Sequence, residues 1–326
     1  MKLLFILDSI TSLKAYKDTS IAIMREADIR GHALYVSMQH DLFLRGDIAK
    51  IKARKFSFTS KNLEDFNYIT ESVIEYLPAE FDAVMMRKDP PFDNEYLYST
   101  YLLEVAAKQG AQVFNSPVAI RSWNEKLSVT RFPQFAPEFL VTADNKLIRE
   151  FLNEHSDIVV KPLDGMGGSS IFRLSLKDPN ISVILETITE FGNRTVMAQR
   201  YLPAILQGDK RIIVINGIPI PYALARIPKV GETRGNLAAG GTGVAQLLTE
   251  RDLHIANTVG QVLRQEGLFL VGLDVIGDYL TEINVTSPTG MVEITAQTGN
   301  LTNPCNPSKL LMAALENKLH TNATAY

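Results

Sequence analysis

Apolar and polar positions alternate in blocks along the first third of the chain, in the order expected of strands and helices taking turns. Short apolar runs, typical of buried strands, occupy 2–8, 32–38, 81–87 and 111–117. Between them, 18–31 and 94–110 have helical periodicity, with polar capping residues at their starts and a glycine at their ends. Such alternation predicts a mostly parallel sheet with helices on its faces.

The pattern changes after about residue 122, where strands and helices no longer alternate regularly. Helical periodicity predicts helices over 121–132, 144–155, 250–267 and 307–319. Apolar runs predict strands at 137–142, on both sides of a glycine-rich loop within 157–175, at 195–203 and at 210–228. An Asn-Gly pair at 216–217 is a turn signal inside the last of these runs. The stretch 46–67 is more polar and harder to interpret.

Composition limits the class of protein. The 326 residues are enough for two or three domains with cores of their own. The net charge of -3 gives no general reason to expect a nucleic acid or an anionic membrane as partner. A single cysteine, Cys305, excludes an intrachain disulfide and favours a reducing compartment. The apolar N-terminal run ends at Asp8, too early for a membrane span, so we expect a soluble, cytoplasmic protein.

A glycine-rich stretch, KPLDGMGGSSIF, joins two predicted strands. Its glycines at 165, 167 and 168 let backbone N–H groups approach an anion. Neither a Gly-Lys-Ser/Thr sequence nor a helix follows, so it is not the P-loop of nucleotide triphosphatases. A β-hairpin with a loose turn has the same pattern. Lys161, at the end of the preceding strand, and the motifs below favour a flexible loop that folds over phosphates.

A second glycine-rich segment, 230–243, holds five glycines in fourteen residues and is predicted to be mobile. Arg226 and Arg234 lie beside it and within it. An isolated arginine is mostly a surface residue, but the planar guanidinium suits phosphate and carboxylate groups. Two arginines at a mobile loop indicate a lid that carries anion-binding groups.

Two polar side chains interrupt an apolar strand in LTEINV. Glu282 and Asn284 are two residues apart, so they share one face of that strand. Asp274 lies in the preceding strand of the predicted hairpin. A three-residue loop would place Asp274 opposite Glu282, whereas a two-residue loop would place them on opposite faces, and the sequence does not choose between them. On one face, the three would form an oxygen cluster of the kind Mg²⁺ prefers.

Other polar positions are weaker signals by themselves. Lys126 lies in a predicted helix, where a lysine is usually solvated. The strand 197–204 bends at Pro203 and offers backbone groups to an adenine edge, although a core strand reads the same way. Asp209 and Arg211 share one face at the entrance of a strand.

Together these stretches resemble the ATP-grasp ligases and, within them, the bacterial glutathione synthetases. The stretches that carry the resemblance are 86–93, 124–127, 161–173, 197–205, 208–211, 224–243 and 271–290. The resemblance runs from the N-terminus to about residue 292 and weakens at 295–308, which contains Cys305. We therefore assign no role to that segment.

The resemblance implies an α/β fold with three parts. They are an N-terminal parallel-sheet domain at 1–122, a central ATP-grasp lobe with the Gly-rich loop at 123–203, and a C-terminal ATP-grasp lobe with lid and metal site at 204–326. It also implies ligation of γ-glutamylcysteine and glycine with ATP, through an acyl phosphate, and a homotetramer.

The resemblance further implies a role for each candidate residue. The residues implied to contact the phosphates of ATP are Lys126, Lys161, Gly165, Gly167, Gly168 and Ser169. Those implied to contact the adenine and ribose are Gln199, Arg200, Tyr201, Leu202 and Asp209. Those implied to bind the divalent ion, Mg²⁺ or Mn²⁺, are Asp274, Glu282 and Asn284. Those implied to stabilise the transferring charge, or to bind substrate carboxylates, are Arg211, Arg226 and Arg234.

Two other functions fit part of the pattern. Another ATP-grasp carboxylate–amine ligase, for peptides or D-alanine, would share the nucleotide site, but the stretches 86–93 and 231–241 lie outside the general ATP-grasp pattern. A non-catalytic nucleotide-binding module would be expected to lack a metal ligand or a lid arginine. Because both are present, the sequence favours a ligase.

Overall fold

The computed structural model describes residues 1–60, 66–165, 167–232, 234–237 and 240–323. Residue 166 of the first glycine-rich loop and residues 233, 238 and 239 of the segment predicted to be mobile lie outside the described residues. Within the described ranges, no helix is both long and apolar enough to cross a membrane.

The first third of the chain forms a mixed sheet with helices packed against it. Its elements are β1 (Lys2–Leu7), α1 (Thr19–Ile29), β2 (Ala33–Met38), β3 (Leu42–Arg45), β4 (Ile48–Phe58), β5 (Tyr68–Thr70), β6 (Ile74–Tyr76), β7 (Ala83–Met86), α2 (Asn94–Lys108), β8 (Val113–Phe114) and α3 (Pro117–Ser122). The order β3-β4-β2-β1-β7-β8 contains the four predicted strands as its parallel part. Those predictions are confirmed.

The polar stretch 46–67 contains the whole of the long strand β4, which pairs antiparallel with β2, β3, β5 and β6. Ala49, Ile51 and Ala53 are buried and alternate with more exposed, charged residues along it. The strand therefore buries one face only, which is typical of an antiparallel strand at one side of a mixed sheet.

The helix predicted at 121–132 is wrong. Helix α3 ends at Ser122, and the chain continues irregularly to a short 3-10 turn at Leu127–Arg131. The cause is Asn124, whose Oδ1 accepts hydrogen bonds from the N–H groups of Lys126 (3.1 Å) and Leu127 (2.9 Å). A side chain that satisfies nearby backbone donors in this way competes with helical hydrogen bonding.

The middle of the chain forms a small antiparallel sheet with its own core. Its elements are β9 (Phe139–Thr142), α4 (Asn145–His155), β10 (Asp157–Pro162), β11 (Phe172–Ser175), α5 (Ile181–Ile188) and β12 (Val196–Arg200). The strand order is β11-β10-β12-β9. Helices α4 and α5 bury Ile148 and Leu185 in one apolar cluster with Val160. The glycine-rich loop leaves this sheet between β10 and β11.

The last third forms a five-stranded antiparallel sheet. Its elements are β13 (Asp209–Ile215), β14 (Ile218–Ile227), β15 (Thr242–Leu247), α6 (Glu250–Gln265), β16 (Leu270–Ile276), β17 (Tyr279–Asn284), α7 (Met291–Thr298) and α8 (Pro307–Ala323). The strand order is β15-β14-β13-β16-β17. The turn predicted at Asn216–Gly217 is confirmed, with φ of 49° and 83° at its two residues. Strand β15 and helix α7 were not predicted.

The first and last sheets share apolar clusters, whereas most buried residues of the middle sheet form a cluster of their own. One shared cluster joins Phe5 and Ile21 to Ile213 and Leu311. Helix α8 also packs against α1, where Arg30 forms a 2.8 Å ion pair with Glu316. The two larger sheets therefore form a common base, and the middle sheet faces it across a cavity.

Candidate active site

A cavity of about 670 Å³ lies where the three sheets meet. Every predicted site residue except Asp274 lines it. These residues are Lys126, Lys161, Gly165, Gly167, Gly168, Ser169, Gln199, Arg200, Tyr201, Leu202, Asp209, Arg211, Arg226, Arg234, Glu282 and Asn284. Positions spread over more than 150 residues of sequence therefore converge on one space large enough for a nucleotide and a second substrate.

The β16–β17 hairpin answers the question of register. Its turn has two residues, because Ile276 pairs with Tyr279 and Val275 with Leu280. An irregularity follows at Thr281, and beyond it Asp274 lies opposite Glu282. The extra residue of a β-bulge shifts the pairing by one. The two carboxylates are thus cross-strand neighbours although the turn is short.

Asp274 is held by two arginines beneath the cavity wall. Its Oδ2 accepts hydrogen bonds from Arg211 Nη2 at 2.9 Å and Arg226 Nη2 at 2.8 Å, and its Oδ1 accepts one from Arg211 Nε. The carboxylate is 2% exposed. Burial alone would raise the pKa of Asp274, but the two guanidinium groups lower it well below its usual range.

Asp209 shares Arg226 with Asp274. The Arg226 guanidinium bonds to Asp209 Oδ2, while Asp209 Oδ1 is buried with no hydrogen-bond partner among the described residues. Burial and the nearby carboxylate of Asp274 raise the pKa of Asp209 to about 6, because the charge of Arg226 offsets them only in part. An unpaired buried oxygen is costly, so this atom suits a hydroxyl donor from a ligand.

Lys126 joins the two halves of the predicted phosphate and metal site. It is buried, and its Nζ forms an ion pair with Glu282 Oε1 at 2.8 Å and donates to the carbonyl oxygen of Gly165 at 2.6 Å. Burial alone would lower the pKa of Lys126, but the carboxylate of Glu282 raises it above its usual value. Lys126 is therefore not the solvated surface lysine that its sequence position alone would suggest.

Lys161 is a second buried amine in the same wall. Its Nζ donates to the carbonyl oxygen of Thr281 at 3.2 Å. Burial lowers the pKa of Lys161 to about 8. The amine lies at the end of β10, where the glycine-rich loop begins, so its charge would be strengthened by an anionic group in the cavity.

The glycine-rich loop is packed closely enough to need its glycines. A Cβ at Gly165 would lie 2.8 Å from Pro162 Cγ, and one at Gly168 would lie 2.7 Å from Asn236 Oδ1. Arg234 Nη1 donates to the carbonyl oxygen of Gly168 at 3.3 Å. The described part of the segment predicted to be a lid therefore touches the loop predicted to cover phosphates.

The opposite end of the cavity is apolar with one unpaired amide. Tyr201 and Leu202 are buried, and Gln199 Nε2 is buried with no partner among the described residues. An amide donor in an apolar recess suits an acceptor nitrogen of a planar base. Arg200 also lines this end, but its Nε donates to Glu138 Oε2 at 2.6 Å.

The divalent-ion fit depends on oxygens that remain open. No described residue bonds to Glu282 Oε2 or Asn284 Oδ1, whereas both oxygens of Asp274 already accept hydrogen bonds from arginine, Oδ1 one and Oδ2 two. Among the described residues, no group of three or more His, Cys, Asp or Glu side chains could hold a metal ion unaided. A carboxylate and an amide that leave positions for phosphate oxygens are typical of Mg²⁺ sites.

Several residues of the cavity wall were not predicted from the sequence. Asp8 and Asp89 line it, and Lys88 forms a 2.9 Å ion pair with Asp8. These residues follow β1 and β7, and ligands in parallel sheets bind beyond the carboxyl ends of the strands. That rule could have identified them. Glu125 and Glu293, also in the wall, give no comparable signal in the sequence.

Comparison with known proteins assigns the family. Residues 1–121 match the N-terminal domain of prokaryotic glutathione synthetase, and residues 125–299 match its ATP-grasp domain. Glutathione synthetase of Nitrosomonas europaea is 57% identical over 320 residues, which cover 98% of each chain. Glutathione synthetase of Pseudomonas aeruginosa is 53% identical over 90% of this chain and 92% of its own.

Solved structures share the fold at low sequence identity. The D-cycloserine synthetase DcsG superimposes with a TM-score of 0.66 at 14% identity, covering 97% of this chain and 99% of its own. D-alanyl-alanine synthetase A of Vibrio cholerae superimposes with a TM-score of 0.59 at 14% identity, covering 98% of both chains. The expected ATP-grasp fold is therefore confirmed.

Proposed function

The chain belongs to the prokaryotic glutathione synthetase family, and we propose how its residues carry out the reaction of that family. The chain is an ATP-dependent ligase that joins γ-glutamylcysteine to glycine, and its ATP-grasp domain uses a divalent metal ion. The predicted function and enzyme class are thus confirmed. The observation that carries the residue roles is the contact of Lys126 with both Glu282 and Gly165, which ties the metal strand to the glycine-rich loop.

The glycine-rich loop and its lysines bind the phosphates of ATP in this proposal. Backbone N–H groups from Gly165 to Ser169 cover the phosphates, and Lys126 and Lys161 neutralise them from the opposite side. At the apolar end, Gln199 Nε2 donates to the adenine, which lies against Tyr201 and Leu202 beside the backbone of Arg200. Asp209 Oδ1 accepts from a ribose hydroxyl.

Glu282 and Asn284 hold the ion through their open oxygens in this proposal, and Asp274 adds an oxygen with a lone pair that its arginines leave free. Mg²⁺ fits this oxygen set, and Mn²⁺ would also be accepted. When bound, the ion neutralises charge on the β- and γ-phosphates. With the ion bound, Lys126 would share Glu282 with it and would also contact phosphate.

Arg211 and Arg226 lie where they can stabilise negative charge that forms in the cavity. Both lie buried in the wall, and both form ion pairs with Asp274, which carries one negative charge for the two of them. As the cysteinyl carboxylate of the dipeptide attacks the γ-phosphate, negative charge builds beside them. We propose that the two guanidinium groups stabilise the transferring phosphoryl group, and then the phosphate that leaves when the glycine amine attacks the acyl phosphate.

The segment 230–243 acts as a lid in this proposal. Its Arg234 contacts the carbonyl oxygen of Gly168, so closure brings one more positive charge over the phosphates. A closed lid also excludes water, which would otherwise hydrolyse the acyl phosphate before glycine attacks. The N-terminal wall, with Asp8, Lys88 and Asp89, would face the dipeptide.

Three further proposals follow from the family. We propose the three-part division at 1–122, 123–203 and 204–326, since each part contains one of the three sheets. We propose a homotetramer, as the resemblance implies. We also propose that the protein works in the cytoplasm, where ATP and thiol-reducing conditions are supplied together. No nucleic acid or membrane partner is proposed.

Phosphate release tests the substrate pair. The protein is incubated with ATP, Mg²⁺ and γ-glutamylcysteine, with and without glycine, beside a panel of other acid–amine pairs. Release that needs glycine, with glutathione as the product, is expected. Release only with another pair would retain the ATP-grasp mechanism and contradict the substrates. Binding of ATP without release for any pair would favour a regulatory module.

A further inference from the structure

Glu125 forms hydrogen bonds with the backbone at the end of the strand that carries the proposed metal ligands. Its Oε1 accepts hydrogen bonds from Val285 N (3.1 Å), Thr286 N (3.2 Å) and Thr286 Oγ1 (2.8 Å). Its backbone carbonyl oxygen accepts a fourth from Ile283 N at 2.8 Å. Glu125 therefore accepts hydrogen bonds from the backbone N–H groups of Ile283, Val285 and Thr286, on both sides of Asn284.

The strand needs this support because β17 lies at the edge of its sheet. Strand β16 pairs with one side of β17, and no other strand among the described residues covers the second side of β17. A backbone N–H group that is shielded from water and has no neighbouring strand costs free energy if it stays unpaired. Ile283 N is satisfied by the backbone of Glu125 and Leu280 N by the carbonyl oxygen of Phe135. Beyond Asn284, the carboxylate of Glu125 accepts from Val285 N and Thr286 N.

Neighbours of Glu125 anchor the opposite side of the site. Asn124 Nδ2 donates to the carbonyl oxygen of Leu163 at 3.1 Å, and Lys126 Nζ donates to that of Gly165 at 2.6 Å. The side chains of Asn124 and Lys126 thus bind the glycine-rich loop, and the side chain of Glu125 binds the backbone at the end of β17. The separation between phosphate loop and metal strand is set by three consecutive residues.

We propose that Glu125 is a positioning residue, which fixes the backbone at Val285 and Thr286 and so aims Glu282 and Asn284 at the divalent ion. The inference rests on the proposed assignment of the ion to Glu282 and Asn284. Glu125 acts through its Oε1 as a hydrogen-bond acceptor, not through its charge and not as a ligand. Supporting groups of this kind typically change metal affinity roughly 10- to 100-fold when removed.

Two substitutions of Glu125 distinguish the role of its hydrogen-bond acceptor from the role of its negative charge. Glu125→Ala removes the acceptor, whereas Glu125→Gln keeps a carbonyl oxygen in place of Oε1 and removes the charge. Glu104→Ala is the matched control, because Glu104 is bonded to Arg121 and Lys108 and does not line the cavity. Mn²⁺ binding in the presence of a non-hydrolysable ATP analogue is followed by electron paramagnetic resonance. Backbone amide exchange is followed in the ligand-free protein.

Glu125→Ala is expected to weaken Mn²⁺ binding roughly 10- to 100-fold and to speed amide exchange at Val285 and Thr286. Exchange at Ile283 should change least, since its acceptor is backbone. Glu125→Gln is expected to remain within about threefold of wild type in both measurements. Glu104→Ala should match wild type. If Glu125→Ala is too unstable to purify, Thr286→Val removes the 2.8 Å contact from the other side, and should weaken Mn²⁺ binding while leaving ATP binding unchanged.

Three results would overturn the inference, and they are distinguishable. Equal damage from Glu125→Gln and Glu125→Ala would show that the charge matters, as in a ligand or a proton acceptor. Unchanged Mn²⁺ binding in Glu125→Ala, or in Thr286→Val if that variant is used, would show that the grip is not needed. Unchanged Mn²⁺ binding in Glu282→Gln would instead remove the metal assignment itself.

Discussion

Asp274 lies directly opposite Glu282 across the β16–β17 hairpin, although the turn between them has only two residues. The bulge at Thr281 makes this possible, and Thr281 Oγ1 donates to the carbonyl oxygen of Asp274 at 3.1 Å. The consequence is that Glu282 faces the cavity, where Lys126 reaches it, while its cross-strand partner is covered by two arginines.

Glu282→Ala should abolish metal-dependent turnover. The substitution removes one of two open oxygen ligands and leaves Lys126 without its counterion, so a loss of roughly 100-fold or more in kcat is expected. The fold should persist, because the side chain is partly exposed to the cavity. Steady-state kinetics across a range of Mg²⁺ concentrations, with circular dichroism as the folding check, measures this. Activity near that of wild type would remove Glu282 from the metal site.

ATP binding should take up protons near pH 8 through Lys161. Burial lowers the pKa of Lys161 to about 8, so about half of these amines are neutral at that pH. Bound phosphate stabilises the ammonium form, and roughly half a proton per site should therefore be taken up at pH 8. At pH 6.5 the amine is already charged, and uptake through it should vanish.

Calorimetric titration with ATP in two buffers of different ionisation enthalpy measures that uptake. Lys161→Arg is the informative variant, because its guanidinium stays charged at pH 8 and keeps a cation at the site. Lys177→Arg, on the exposed side of the middle lobe, is the matched control. The same uptake in wild type and Lys161→Arg would contradict the assignment.

Arg234→Ala should separate ATP use from product formation. The lid loses its contact with Gly168 and one charge over the phosphates, so kcat should fall roughly 10- to 100-fold. Water would also reach the acyl phosphate, and phosphate release should exceed glutathione formation. Both products are measured in the same assay, with Arg149→Ala as a control that alters a surface arginine bonded to Ser182. Equal yields of phosphate and glutathione would argue against a lid.

Gly165→Ala should weaken ATP use without unfolding the protein. A Cβ there would lie 2.8 Å from Pro162 Cγ, so the loop must shift by a few tenths of an ångström or more. Misplacement of about 1 Å at a phosphate site costs up to roughly 100-fold in rate. Gly299→Ala, whose added Cβ meets only backbone oxygen at 3.3 Å, is the control. Unchanged kcat/KM for ATP would show that the loop accommodates a Cβ at Gly165 without misplacing the phosphates.

The sequence predicted most of this architecture where local pattern decides structure. The four parallel strands of the first sheet are apolar on both faces, so a continuous apolar run identified each of them. Asn216–Gly217 marked its own turn. The motifs also predicted which residues meet at the cavity, since the resemblance extends over almost all of the chain.

Specific side-chain contacts, local as well as tertiary, decided what the apolar pattern could not predict. The helix predicted at 121–132 is absent because Asn124 binds the backbone of Lys126 and Leu127. The bulge at Thr281 has no signature in a run of β-prone residues, so the register stayed open. The grip of Glu125 on Thr286 joins positions more than 150 residues apart, and no local pattern announces it.

Location of the metal ion tests the central claim most directly. Crystals grown with Mn²⁺ and a non-hydrolysable ATP analogue allow the ion to be placed by its anomalous scattering. The account predicts a peak within about 2.2 Å of oxygens from Glu282 and Asn284, with phosphate oxygens completing its coordination. A peak bound elsewhere in the cavity, with Glu282 still paired to Lys126, would contradict it.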